Sequence, residues 1–205
     1  MCYDAETSLK TFMISAPISL YLALYGKTTN IKMYGWLFFY ISFMQFIEYI
    51  LWKNQQPGNK INSVVSKMID PYLVGQPLVM LLAIYFLDKT NVNQLLLFNI
   101  IVLFFVTSHA ILDKKTRYSK PDDNGHLSWD TITDIQRHPT FFTVLLTLSV
   151  LLVSKRDIST FTVALLGIAS LEYHFSKSLY WGSGWCNTVN MIPMVLLGLN
   201  FLPEA

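Results

Sequence analysis

The apolar residues of this chain neither alternate nor keep to one narrow helical stripe. They come in seven long runs separated by polar breaks. A bilayer core ~30 Å thick is crossed by ~20 mostly apolar residues in a helix. The runs therefore predict spanning helices over about residues 9–25, 31–52, 68–87, 94–112, 139–153, 160–175 and 188–202. Pro17, Pro71, Pro77 and Pro193 lie in or at the start of these runs. Membrane helices tolerate such prolines where neighbours satisfy the freed carbonyls. The last three runs are short, so six spans plus a re-entrant piece is the alternative. Asp4 and Glu6 precede the first run, where a cleavable signal would carry basic residues, so none is expected. With no repeat, no low-complexity tract and no soluble domain, residues 1–205 read as one transmembrane domain.

Composition agrees. Of 205 residues, 53% are hydrophobic and 14% charged, against about 25% charged in a typical soluble domain. Disorder is excluded by the apolar content. A net charge of +2 with no basic stripe gives nucleic acid no electrostatic footprint. The expected fold is all-α, a polytopic seven-helix transmembrane bundle with the lipid bilayer as its partner. The one long connection, 113–138, is polar, holding five acids and five bases. It is expected to form a structured cap, since loops of that length are seldom idle.

Seven spans put the termini on opposite sides. The side of the N-terminus, here side A, receives ten Lys and Arg residues against five on side B. The positive-inside rule then puts side A in the cytoplasm.

Ionisable groups inside a membrane are costly and mark function by default. Here they share one side. Glu48 lies a turn from the side-A end of the second run, and Asp70 at the side-A start of the third. His109, His138, Glu172 and His174 also lie at side-A ends, with His126 in the long loop. Cys2 and Cys186, the two cysteines, precede the first and last runs on the same side. Asn99 and Asn200 are the main polar residues expected in the side-B halves. Snorkelling to water explains Asp70, His138 and Glu172. It explains Glu48 less well, because the run around it is deeply apolar and a buried carboxylate wants a partner or a proton. Gln45 and Glu48, three apart, share a helical face. A neighbour such as His109 or Tyr40 would satisfy Glu48, or the pair would be a proton or cation site. Trp36, Trp52, Trp129, Trp181 and Trp185 fall mostly where interfacial aromatic belts are expected.

The opening Met1-Cys2-Tyr3-Asp4-Ala5-Glu6-Thr7-Ser8 resembles the Met-Cys-x-Ser-Ala-x-x-Ser start of a mostly bacterial family of small multi-pass membrane proteins of unknown function. That family's Gln-x-x-Glu-x-x-x-Trp pattern is matched by Gln45, Glu48 and Trp52. Its Gly-His loop with a following aromatic is matched by Gly125, His126 and Trp129, and its Trp-Cys by Trp185 and Cys186. Asp4 stands for the family's Ser, Tyr49 for its Gly, and the stretch Phe38 to Phe43 is bulkier than usual. The resemblance implies the fold and singles out Cys2, Gln45, Glu48, His126 and Cys186, all on side A. It implies no activity.

Three readings of those residues stand side by side. Thiolates, an imidazole and a carboxylate suit zinc or another divalent metal, with Cys2, His126, Cys186 and Glu48 as ligands, although no CxxC or HxxxH spacing is present. Cys2 and Cys186 as a disulfide would require side A to face an oxidising compartment. Free, packed thiols are the third. The expected function is a one-sided polar pocket for a metal or small polar ligand. The alternatives are a metal-dependent lipid hydrolase and a non-catalytic subunit of a larger membrane or virion assembly or a homo-oligomer.

Overall fold

The computed structural model describes residues 4–123, 125–131, 140–152, 157–177 and 188–202. The chain is all-helical, with 77% of it in helix and almost no strand. Among the described residues there are seven α-helices, one at each apolar run. They are α1 (Ala5–Tyr25), α2 (Thr29–Lys53), α3 (Lys60–Ala83), α4 (Asn93–Leu112), α5 (Thr140–Leu151), α6 (Ile158–Lys177) and α7 (Ile192–Phe201).

Side-chain caps set several starts. Asp4 accepts from the Thr7 backbone N–H at 2.7 Å and opens α1. Thr28 accepts from the Ile31 N–H at 3.2 Å and opens α2. Asn59 accepts from the Ile61 and Asn62 N–H groups, at 2.8 and 3.2 Å. These caps satisfy donors that a helix leaves orphaned at its N-terminus. The Asn59 cap explains why α3 starts at Lys60, two turns ahead of the apolar run expected at Met68. Those turns are polar, and helical because they are capped. α3 ends in a π-helical turn, Ile84–Asp88, after which Lys89 breaks it at φ 56°.

Among the described residues four helices are long and apolar enough to cross a membrane: α1, α2, α3 with its π turn, and α4. α5 and α7, with 12 and 10 residues, are shorter than the expected runs. The surface is apolar and the interior mixed. Met13, Leu97, Phe104, Phe105, Ile111 and Leu165 are exposed, whereas Gln45, Glu48, Asn62, Ser66, Asp70 and Gln76 are buried. That inverts the usual arrangement of a soluble domain.

α1 and α2 pack backbone to backbone. A Cβ on Gly35 would stand 2.6 Å from Ala23 Cα and 2.7 Å from Leu22 C. Small residues allow this approach, as at many helix contacts in membranes. α3 is central, touching α2, α4 and α5. Tyr40 and Tyr72 join α2 to α3: their rings stack at 4.5 Å and each hydroxyl donates to the other's backbone carbonyl. α7 is tied to α1 by Ser15 Oγ, which donates to Asn190 Oδ1 at 2.7 Å. The turn after α1 is tied to the end of α7, where the Lys27 N–H donates to Asn200 Oδ1 at 2.8 Å.

Of the long loop, the described residues 113–123 and 125–131 fold into a small hairpin that caps the bundle. Its strands β1 (Lys120–Pro121) and β2 (Leu127–Ser128) pair antiparallel. Gly125, at φ 76°, lies in the turn between them, where a left-handed backbone favours glycine. The cap docks on the polar start of α3. The Ser119 N–H donates to Asn62 Oδ1 at 2.9 Å, and Asn62 Nδ2 returns a bond to the Ser119 carbonyl at 2.9 Å. Ser66 and Ser119 hydroxyls meet at 2.7 Å. Leu127 and Trp129 belong to the apolar core. Trp129, expected in an interfacial belt, is 4% exposed, because the hairpin turns it inward.

Candidate functional site

The buried faces of the first three helices carry the chemistry. One stripe of buried positions on α2 is Tyr34, Leu37, Ile41, Met44, Glu48 and Leu51, spaced alternately three and four apart, with Met33, Ser42 and Gln45 buried beside it. On α3 the like stripe is Asn62, Ser66, Ile69, Leu73, Gln76 and Met80, at the same kind of spacing, with Asp70 and Leu81 buried beside it. Such spacing holds one face of a helix against its neighbours. On α1 the corresponding positions are hydroxyls: Ser8, Thr11, Ser15 and Ser19. The bundle interior is therefore apolar with a polar group entering at nearly every turn.

Glu48 and Gln45 are fully buried, and Asp70 is 1% exposed. Gln45 Nε2 donates to Glu48 Oε2 at 3.1 Å. Of the neighbours expected to hold Glu48, Tyr40 is engaged with Tyr72 instead. His109 lies on the exposed face of α4. The i, i+3 spacing within α2 supplies a partner for Glu48 locally.

Cross-helix contacts fix the depths. Tyr40 stands opposite Tyr72, and Asn62 Nδ2 donates to the Asn54 carbonyl at 3.1 Å. Between these points Glu48 is level with Ser66, and Asp70 with Ser42. At ~1.5 Å per residue, Glu48 lies ~8 Å inside the end of α2. The candidate site thus begins directly beneath the cap, on side A.

The cap is held by charge. Arg117 Nε donates to Asp113 Oδ2 at 2.9 Å and Arg117 Nη1 to Asp130 Oδ1 at 3.2 Å. Asp113 is pulled below the usual carboxylate range, first by the Lys115 backbone N–H and then by the Arg117 guanidinium. His126 is half-buried in the hairpin, its backbone N–H donating to Asp122 Oδ1 at 2.7 Å.

Cys2, His138 and Cys186 lie outside the described residues, as do the side chains of Glu172 and His174 on α6. Among the described residues no three His, Cys, Asp or Glu side chains gather to hold a metal ion. Of the expected site residues the structure brings Gln45 and Glu48 into direct contact, puts Asp70 two turns deeper at most, sets His126 in the cap, and leaves His109 aside.

Residue-type reasoning missed other polar groups. Gln76 is fully buried mid-helix, and neither amide atom has a hydrogen-bond partner among the described residues. Towards side B, Tyr34 OH donates to Thr160 Oγ1 at 2.9 Å, and Thr160 Oγ1 donates to Asp157 Oδ1 at 3.3 Å. Asn30 Nδ2 also donates to Thr160 Oγ1, at 3.3 Å. The side-B half is thus richer in polar groups than Asn99 and Asn200 alone. Burial pushes Asp157 up, but hydrogen bonds from Ser159, Asn30 and Thr160 outweigh it and leave the carboxyl below its ordinary value. An apolar groove at that end is lined by Trp36, Val79, Leu82 and Phe86.

Comparison with family models, curated proteins and solved structures finds no match for the chain.

Proposed function

We propose that the protein is an integral membrane protein, a seven-helix bundle whose interior binds a small polar ligand or cation at Gln45, Glu48 and Asp70. The site opens on side A beneath the cap, and the charge count puts side A in the cytoplasm. The observation that carries this reading is the pair of buried carboxylates, Glu48 and Asp70, inside a shell of exposed apolar side chains. A buried charge costs several kcal/mol unless it is paired, and apolar residues of similar volume pack a bundle as well or better. Carboxylates kept at that depth, with the Gln45 amide beside Glu48, supply the oxygen atoms that a cation or small polar ligand would need. The resemblance to the bacterial family belongs to the same proposal, with Cys2, His126 and Cys186 as further ligands at the mouth.

The test is thermal unfolding of the detergent-solubilised protein in a series of sodium, potassium, calcium and zinc chlorides and small amines. A ligand at 100 times its Kd stabilises by ~2.7 kcal/mol. The expected result is a saturable rise in Tm with one class, abolished in Glu48→Gln. No shift with any of them, together with a Glu48→Gln variant more stable than the parent, would overturn the reading and leave Glu48 a packing residue.

A further inference from the structure

The polar groups do not stop at the carboxylates. Contacts between Phe12 and both Phe43 and Phe46, and the approach of Gly35 to Ala23, set α1 against α2. By that register Ser19 is level with Phe38 and Phe39 of α2. Gln76, one turn beyond the Tyr72–Tyr40 contact, reaches the same level. Both are fully buried, and neither Ser19 Oγ nor the Gln76 amide has a partner among the described residues. One turn further towards side B begins the hydrogen-bonded chain from Tyr34 through Thr160 to Asp157.

Taken along α2, polar groups enter the interior at Glu48, at Gln45, at the level of Asp70, at the level of Gln76 and Ser19, and at Tyr34. At ~1.5 Å per residue the steps along the axes are ~5 Å from Glu48 to Gln45 and on to the level of Asp70, and ~9 Å from Asp70 to Gln76 on α3, gaps that one or two bridging waters span. We infer that these residues form a proton path through the bundle, from Glu48 on side A to Asp157 on side B. Glu48 and Asp70 take and release the proton. The Gln76 amide, with one donor and one acceptor side open, and the Ser19 hydroxyl orient water between them and Tyr34. The Tyr34 and Thr160 hydroxyls each accept one proton and pass on another, and Asp157 releases it at the surface. Intramembrane carboxylates in relays of this kind are a recurrent use of costly buried charge. The transported species is the proton itself, and no redox partner is needed. The inference rests on the proposed membrane function and extends it from binding to conduction.

The experiment uses the full chain in liposomes loaded with a pH-sensitive dye, with a valinomycin potassium gradient as driving force. The parent protein is expected to acidify or alkalinise the lumen faster than protein-free vesicles. Asp157→Asn decides the mechanism. Asparagine caps a helix as well as aspartate does, so α6 keeps its start and Tm is expected to hold, while a group that cannot carry the proton replaces one that can. Gln76→Leu tests the middle of the path in the same way. Flux at the protein-free level in both variants, with Tm unchanged, supports the path. Parental flux no greater than that of empty vesicles overturns it, and so does parental flux retained in both variants. If the path fails while the Glu48-dependent ligand shift persists, the binding reading survives. If both fail, the two fall together.

Discussion

The tightest contact in the bundle gives the sharpest test of its packing. Gly35→Ala adds one methyl where α1 and α2 meet. The new Cβ would lie 2.6 Å from Ala23 Cα and 2.7 Å from Leu22 C. Carbon atoms prefer ~3.5–4.0 Å, so α1 must retreat by ~1 Å along the whole contact. The atoms in the way are backbone, so no side chain can rotate aside. Overpacking of this kind costs ~1–3 kcal/mol. For a chain of this size that lowers Tm by ~2–4 °C per kcal/mol. The control is Gly198→Ala on α7, where the added Cβ meets nothing within 4 Å. Alanine is the better helix former by ~1 kcal/mol, so this variant should be equal to the parent or more stable. Circular dichroism melts in one detergent measure both. If Gly35→Ala matches Gly198→Ala, the helices do not approach as closely as described, and the depth register built on that contact fails with it.

The cap yields two more predictions. Asn62→Leu removes one of two hydrogen bonds from each of the Ser119 N–H and carbonyl, leaving Ser66 Oγ and Gln55 Nε2 as their partners, at a cost of ~1 kcal/mol per bond lost, and limited proteolysis within 113–131 should become faster. Acid should loosen the same segment. The Asp113 carboxyl is depressed in the folded protein below its ordinary 3.8, so its stabilisation is complete above that value and is lost as pH falls through the lower folded one. Fluorescence of the buried Trp129 should therefore be constant from pH 7 to about pH 5 and change below about pH 4; a change already complete at pH 5 would refute the assignment.

Much of the fold was legible because uninterrupted apolar runs leave few choices. The ends of the helices were less so. α3 begins two turns early because Asn59 caps it and the loop docks on its first polar turns, a contact between residues more than fifty positions apart. Glu48 and Gln45 were readable from their spacing alone, since three residues bring side chains to one helical face. Gln76 escaped notice because a neutral amide between two prolines carries no charge to flag it. The Tyr34–Thr160–Asp157 chain escaped because its partners lie 126 positions apart, and hydroxyls in apolar runs look like filler until their neighbours are known. The stripe of Ser8, Thr11, Ser15 and Ser19 was there to be read, in the three- and four-residue steps of a helix.

The unbroken run of α3 and its π turn has a mechanical consequence. Lys60 to Asp88 is 29 residues, ~44 Å of rod at 1.5 Å per residue, against a hydrocarbon layer ~30 Å thick. In the proposed bilayer setting the surplus would be a mast standing clear of the lipid, with the cap rigged to it at Asn62 and Ser66. A rod that is too long for its layer leans when the layer thins. In that setting a lean of α3 would carry with it the cap fastened at its first turns, so the thickness of the host membrane would bear on where the cap sits over Glu48.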